Sequence, residues 1–398
     1  MTQSVLGSIT LGYRPLWNRS RQLAGYQLFV DGQHTATPID AAHLLRTQQE
    51  MWPENGPSVL LSVQSPQLLC DLLAHAPAHS PRIEVRHDWL ADPTVRREVG
   101  SAHQRGLRLV WRGELAHLPD PEIVGHFTQS LLTLGPDEAA AVLHGTLALP
   151  PGQLYENVPS RALADRCLDE AQAWAVAGWP SEDVLHGQRG RTPEPTRDVL
   201  TELIRAINAD QSMEQIEHIL HQEPVLSYRF LMHLNSASYG LRNGVESLRH
   251  GLMMLGYTSL GKWIAGQLPN AATDADLVPA KTAVVLRARL MEHLMDAGVE
   301  NGLRREIYLC GLFSELGDLM DEPLSTLLHR LPLSSRIYEA TVMQAGPYWP
   351  TLEMARALES DDLAAAREVC ARHELDTEEV NRALLRSLAD LPVQNSSY

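Results

Sequence analysis

The sequence predicts an α/β body followed by an all-α body, and three observations carry that prediction. Short β-branched apolar runs alternate with helix-like segments in the first half. A stretch at 186–198, "HGQRGRTPEPTRD", is rich in Gly, Pro and Arg and has no apolar period. Beyond it the apolar period turns helical and stays so. The expected division is 1–188 for the α/β body, 189–196 for a linker and 197–398 for the helical body.

In the first body, "GYQLFV" (25–30), "SVLLSV" (58–63), "RIEVRH" (82–87) and "LRLVWR" (107–112) are short and bounded by Gly, Pro or polar turns, so they read as strands. Helical segments lie between them at 41–51, 66–76 and 93–106. Alternation of this kind argues for a parallel sheet with crossover helices. Further strands are expected within 139–149 and 172–179, and the number of βα units favours an incomplete or distorted (β/α) barrel over an open sheet. In the second body Thr196 is an available N-cap for a helix whose apolar face is Val199, Leu200, Leu203, Ile204 and Ile207. Ser212 and Gln215 form a capping-box pattern, and Pro224 suits the first turn of the next helix. Ser247 starts a helix that Gly256 stops. Helical patterns continue at 281–297, 304–320, 322–330, 334–345, 351–358, 361–372 and 376–389.

Composition narrows the class. The 398 residues are 44% hydrophobic and 21% charged, the mix of a globular protein. A net charge of −16 repels phosphate backbones, so nucleic acid is not an expected partner. The basic cluster Arg14, Arg19 and Arg21 reads as solvated surface. No apolar run is long enough to cross a membrane, and the first residues lack the pattern of a signal peptide. Cys70, Cys167, Cys310 and Cys370 are far apart, which points to reduced thiols, a cytoplasmic setting and no zinc.

Residues 13–180 resemble an EAL domain, the cyclic di-GMP phosphodiesterase barrel. Tyr13-Arg14-Pro15-Leu16 leading to Gly25-Tyr26-Gln27-Leu28 is similar to the family's opening, with Gln27 at the signature glutamate. "SVQSPQLL" (62–69) resembles the Asn-x-Ser-Pro strand end, with Val63 at the asparagine. "IEVRH" (83–87) keeps Glu84 and places His87 at a second acid; Arg112 stands where a double-aspartate motif is expected; "LYENVPS" (154–160) keeps Glu156. The resemblance implies a divalent-metal site, yet Gln27, Val63 and Arg112 remove anionic oxygens at three of its positions. A guanidinium among metal ligands is also repulsive. Glu84 and Glu156 are expected to pair with Arg112 or Arg86.

Residues 219–264 resemble the core of an HDOD domain, a relative of the HD phosphohydrolase fold that lacks its metal centre. The matching residues are Glu223-Pro224, Leu226-Ser227, Asn235-Ser236, Tyr239-Gly240, Ser247-Leu248 and Leu255-Gly256. These read as structural: Asn235 in a left-handed helix end, the Asn235 and Ser236 side chains both satisfying the last carbonyls, and Tyr239-Gly240 making the turn. The Met253-Met254 pair reads as core. On a helix expected at 309–320, Ser314 and Glu315 stand where the HD family has its His-Asp pair, and His293 reads as a helix-end residue.

The expected function is therefore a non-catalytic bacterial signalling or adaptor protein working through contacts with other signalling proteins, linked by resemblance to cyclic di-GMP control of motility or biofilm. No metal or cofactor is expected, and self-association is allowed. Reception of cyclic di-GMP without hydrolysis, through Arg14 or Arg112, ranks second and below no binding. A residual phosphohydrolase using Glu84, His87 and Glu156, or His293 and Glu315, ranks third.

Overall fold

Eight strands close into a barrel in the order β1 to β8 in this computed structural model, which describes residues 4–32, 39–53, 55–236, 244–295 and 300–390. They are β1 (Ile9–Trp17), β2 (Leu23–Gly32), β3 (Ser58–Val63), β4 (Arg82–Arg86), β5 (Leu109–Glu114), β6 (Gln129–Thr133), β7 (Leu154–Glu156) and β8 (Ala175–Ala177). The fold class is the expected one, with the barrel closed rather than incomplete. Its distortion is β1, which runs antiparallel to both neighbours while β2 to β8 pair in parallel.

The barrel helices are α1 (Ala41–Met51), α2 (Pro66–His75), α3 (Pro93–Gln104), α4 (Pro121–Val124), α5 (Pro136–Leu143), α6 (Arg161–Asp165) and α7 (Ser181–His186). Local chemistry starts several of them. Asp40, Ser65, Asp92 and Ser160 each accept a first-turn N–H, and Pro66 and Pro93 occupy first-turn positions. The strand expected within 139–149 is instead the end of α5 and the loop after it; Glu138 returns its carboxylate to the Gly135 N–H and so opens a helix there. The strand is upstream, at β6.

The β1–β2 connection is a tight turn. Asn18 Oδ1 accepts the Ser20 and Gln22 N–H groups, and Arg21 takes a left-handed φ of 58°. Arg21 is not solvated surface: it is buried and donates to Asp165 and Asp169 at 2.7 Å. A hairpin has no crossover helix, so the outer face of β1 and β2 needs cover from elsewhere. The end of the chain supplies it.

Beyond the barrel strands the chain is helical: α8 (Arg197–Asn208), α9 (Met213–His221), α10 (Pro224–Leu234), α11 (Leu248–Gln267), α12 (Leu277–Leu294), α13 (Asn301–Phe313), α14 (Leu316–Met320), α15 (Leu324–His329), α16 (Ser335–Thr341), α17 (Trp349–Leu358), α18 (Leu363–Arg372) and α19 (Thr377–Ala389). The Ser212–Gln215 capping box forms reciprocally, and Ser247 caps α11. Gly256 interrupts α11 with φ 68°, a backbone that L side chains rarely adopt. Thr196 precedes α8 without capping it; its hydroxyl and N–H go to Glu223. Asn235 is not left-handed (φ −85°), though its amide does close the helix end by donating to the Leu231 and Val245 carbonyls. Tyr239-Gly240 lies outside the described residues. Met253 and Met254 are exposed, at 59% and 39%, so the pair is surface and not core.

By packing, the chain divides into Met1–Asp183 with Arg356–Tyr398, and Val184–Ala355. The 197–398 body expected from periodicity therefore ends early, because α18 and α19 pack on the barrel. The physical reason is the uncovered hairpin. Leu363 of α18 lies over Gly12, and Arg367 pairs with Asp31 at 3.0 Å. Asn381 of α19, 1% exposed, donates to the Leu6 and Ile9 carbonyls and accepts the Leu11 N–H.

Candidate functional site

Strand alternation builds the barrel interior in two layers. Leu16, Leu60, Val110, Leu131 and Leu154 form an apolar layer with Ala175 and Ala177. Arg14, Ser62, Arg112, Thr133 and Glu156 lie two residues away on the same strands, so they share the inward face one pleat higher. Gln27 and Glu84 complete this polar layer, towards the carboxyl ends of β3 to β7, where a (β/α) barrel presents its chemistry.

Arg112 ties the layer together. Its Nη1 donates to Glu84 Oε1 at 3.0 Å; its Nε and Nη2 donate to the two oxygens of Glu156 at 2.8 and 3.0 Å. Both glutamate side chains are only 2% exposed, against 21% for Arg112. Burial alone would lower the Arg112 pKa, but the two carboxylates outweigh it and hold it above the ordinary guanidinium value. The remaining carboxylate oxygens are also engaged. Glu84 Oε2 accepts from Gln27 Nε2 at 2.9 Å and from the Ser62 hydroxyl. Glu156 accepts from Thr133 Oγ1 at 2.6 Å and from Arg14 at 3.2 Å. Arg14 turns its other nitrogen to Asp361 at 3.2 Å.

Of the residues singled out from sequence, the structure brings together Gln27, Glu84, Arg112 and Glu156. Val63 is not among them. It is buried on the face opposite Ser62, and Ser62 holds the inward place. His87 is exposed and sets its ring edge-on to Trp111 at 5.5 Å. Arg86 pairs with Asp88 rather than Glu84. Ser62 and Thr133 were missed. Strand parity counted from Glu84 finds the first; finding the second requires recognising β6.

The helical position has its own arginine. The expected helix over 309–320 breaks at Ser314 and Glu315, which sit between α13 and α14. Arg287 of α12 donates to Ser314 Oγ at 3.1 Å and to Glu315 Oε1 at 2.6 Å. His293 lies in the last turn of α12. Glu223 caps α10 through the Leu226 N–H and pairs with Lys281, whose ammonium also donates to the Glu194 carbonyl and Thr196 Oγ1.

A pair of divalent cations needs several anionic oxygens or imidazoles converging within about 4 Å. The barrel offers two carboxylates already bonded to one guanidinium, and the helical position offers one carboxylate bonded to another. Neither donor set fits a metal pair. Among the described residues, no group of three or more His, Cys, Asp or Glu side chains is gathered for a metal ion. No helix of the described residues is long and apolar enough to cross a membrane.

The architecture is thus an eight-stranded (β/α) barrel with a helical unit of HD-like type. Residues 194–322 match the HDOD domain family, so the helical unit carries an HDOD domain. Over 94% of its length the chain is 23% identical to the cyclic di-GMP phosphodiesterase CdgJ of Vibrio cholerae, covering 90% of that protein. Among solved structures, the MmoQ response regulator of Methylococcus capsulatus matches 49% of this chain and 99% of its own, with 15% identity and a TM-score of 0.41. The EAL domain of Mycobacterium smegmatis DcpA matches 43% of this chain and 90% of its own, with 14% identity and a TM-score of 0.30.

Proposed function

We propose that the chain is a non-catalytic signalling protein of cyclic di-GMP-related regulation, acting by contact with other proteins. The relation to cyclic di-GMP is carried over from the name of the CdgJ relative, and the output role from the HDOD domain. The observation that supports loss of catalysis is the Arg112 bridge between Glu84 and Glu156. It places a fixed positive charge between the carboxylates that a metal would need, and it uses their oxygens. Both arginines that would meet the nucleotide's phosphates, Arg14 and Arg112, are bonded to Glu156, which favours an adaptor over a receptor.

The test is incubation of the full chain with cyclic di-GMP and Mg²⁺ or Mn²⁺, with linear dinucleotide followed by chromatography. No turnover is expected. Turnover that Glu84→Ala abolishes would overturn the proposal.

A further inference from the structure

We propose that the helical unit carries a binding site for a small oxyanion of the phosphate class, built on the Arg289 guanidinium between α9, α12 and α13, with Arg305 and His218 at its rim. The inference concerns the helical unit alone and stands whether or not the barrel turns over cyclic di-GMP.

The observation behind it is a buried charge that nothing in the fold answers. Arg289 is 8% exposed, yet among the described residues no carboxylate stands within ion-pair distance of it. The acceptor it meets is the neutral Tyr308 hydroxyl, which itself donates to the His221 carbonyl at 3.1 Å. Two other buried cations of this unit are paired, Lys281 with Glu223 and Arg287 with Glu315. A guanidinium held out of water without a counter-ion is strongly unfavourable, so an anion that reaches it gains an interaction the fold leaves unmade. Arg289 stands apart from the Arg287 arrangement. The two flank Ala288, which packs on Gly311, and a two-residue step turns an α-helix by about 200°.

The surroundings are cationic. Tyr308 stacks on His221 at 4.4 Å. Burial first, then the charges of His218, Arg289 and Arg305, push the His221 pKa down to about 3. The nearby carboxylates are committed elsewhere. Glu217, 7% exposed, already meets Arg249 at 3.2 Å and Arg305 at 3.5 Å, and Glu292 acts on Tyr308 without reaching Arg289. Guanidinium forks select phosphate and carboxylate oxygens. Charges from three helices act on this one place, which suits tetrahedral phosphate oxygens better than the planar pair of a carboxylate. The net charge of −16 argues against a polyanion and for a compact ion.

The experiment is equilibrium dialysis of the full chain against labelled inorganic phosphate and, separately, phenyl phosphate, at constant ionic strength in NaCl, for wild type, Arg289→Met, Arg289→Lys and Arg305→Gln. Wild type should hold a single phosphoryl group per chain at millimolar probe. Uptake of inorganic phosphate identifies the free ion; uptake of phenyl phosphate alone identifies the phosphoryl group of a larger ligand. Arg289→Met should bind roughly tenfold or more weakly, with Arg289→Lys in between and Arg305→Gln several-fold weaker than wild type. In phosphate-free buffer Arg289→Met should melt no lower than wild type, because it removes an unanswered buried charge and keeps the apolar stem. No uptake of either probe by wild type, unchanged binding in Arg289→Met or Arg305→Gln, or an Arg289→Met chain that fails to fold or melts well below wild type would overturn the inference.

Discussion

Two arginines each tie several polar groups together, one in the barrel and one in the helical unit, and they hold their surroundings in different ways. Arg112 joins β4 to β7 through two carboxylates that are each 2% exposed. Arg287 joins α12 to the break between α13 and α14 through one hydroxyl and one carboxylate, and Glu315 is 30% exposed. A buried carboxylate that loses its cation stays buried, whereas a partly exposed one recovers water. The same substitution therefore has different weight in the two places. The contrast extends to the units themselves. The barrel hairpin is covered by α18 and α19 from far along the chain; the helical unit buries an apolar core of its own, Leu200, Phe230, Leu252 and Leu312 among it.

The strongest way to break this comparison is to stop the chain after Ala355. The barrel should then fail to fold while the helical unit persists, read as a protease-resistant core within 184–355. A truncated chain whose barrel strands stay protected would remove the claim that α18 and α19 cover the β1–β2 hairpin. Next in size, Arg112→Ala should cost about 3–5 kcal/mol of barrel stability, measured by urea unfolding followed through Trp17 and Trp111. Asn381→Ala should cost about 2–3 kcal/mol, because it strands main-chain groups of Leu6, Ile9 and Leu11 that are buried under α19.

The helical unit should respond to acid instead. Burial pushes the His221 pKa down to about 3, with the charges of His218, Arg289 and Arg305 adding to it, and its ring stacks on Tyr308 at 4.4 Å. The unfolded histidine, near 6.5, therefore takes up a proton that the folded one refuses. Stability is unaffected above that value and falls as pH drops from 6.5 towards 3, by at most about 1.4 kcal/mol per pH unit. His221→Phe should flatten that slope in denaturation curves taken between pH 7.5 and 5. The smallest effect is expected for Arg287→Ala, about 1–2 kcal/mol, because Glu315, 30% exposed, can recover water while the buried Ser314 hydroxyl keeps its bond to the Gly311 carbonyl. A loss equal to that of Arg112→Ala would erase the distinction between the two arginines.

Much of the barrel was legible in the order of its motifs, because Glu84, Arg112 and Glu156 sit in short apolar strands with clear turn residues around them. Val63 shows the limit of such reading. A shift of one residue along a strand moves a side chain to the other face, so Ser62, not Val63, meets Glu84. Thr133 was hidden because β6 is a five-residue run that periodicity does not separate from its surroundings. The helical half was legible through caps and an apolar period, but period says which face of a helix is buried and not against what. Asn381 looks like an unremarkable mid-helix residue until the edge of β1 is placed beneath it.

That placement bears on how the molecule is assembled during synthesis. Residues 184–355 leave the ribosome with everything their own core requires, while the earlier strands must wait for α18 and α19. The segment translated second can thus settle before the one translated first, a reversal of the usual N-terminal-first order. During that interval the outer face of β1 and β2 is open to water and to chaperones.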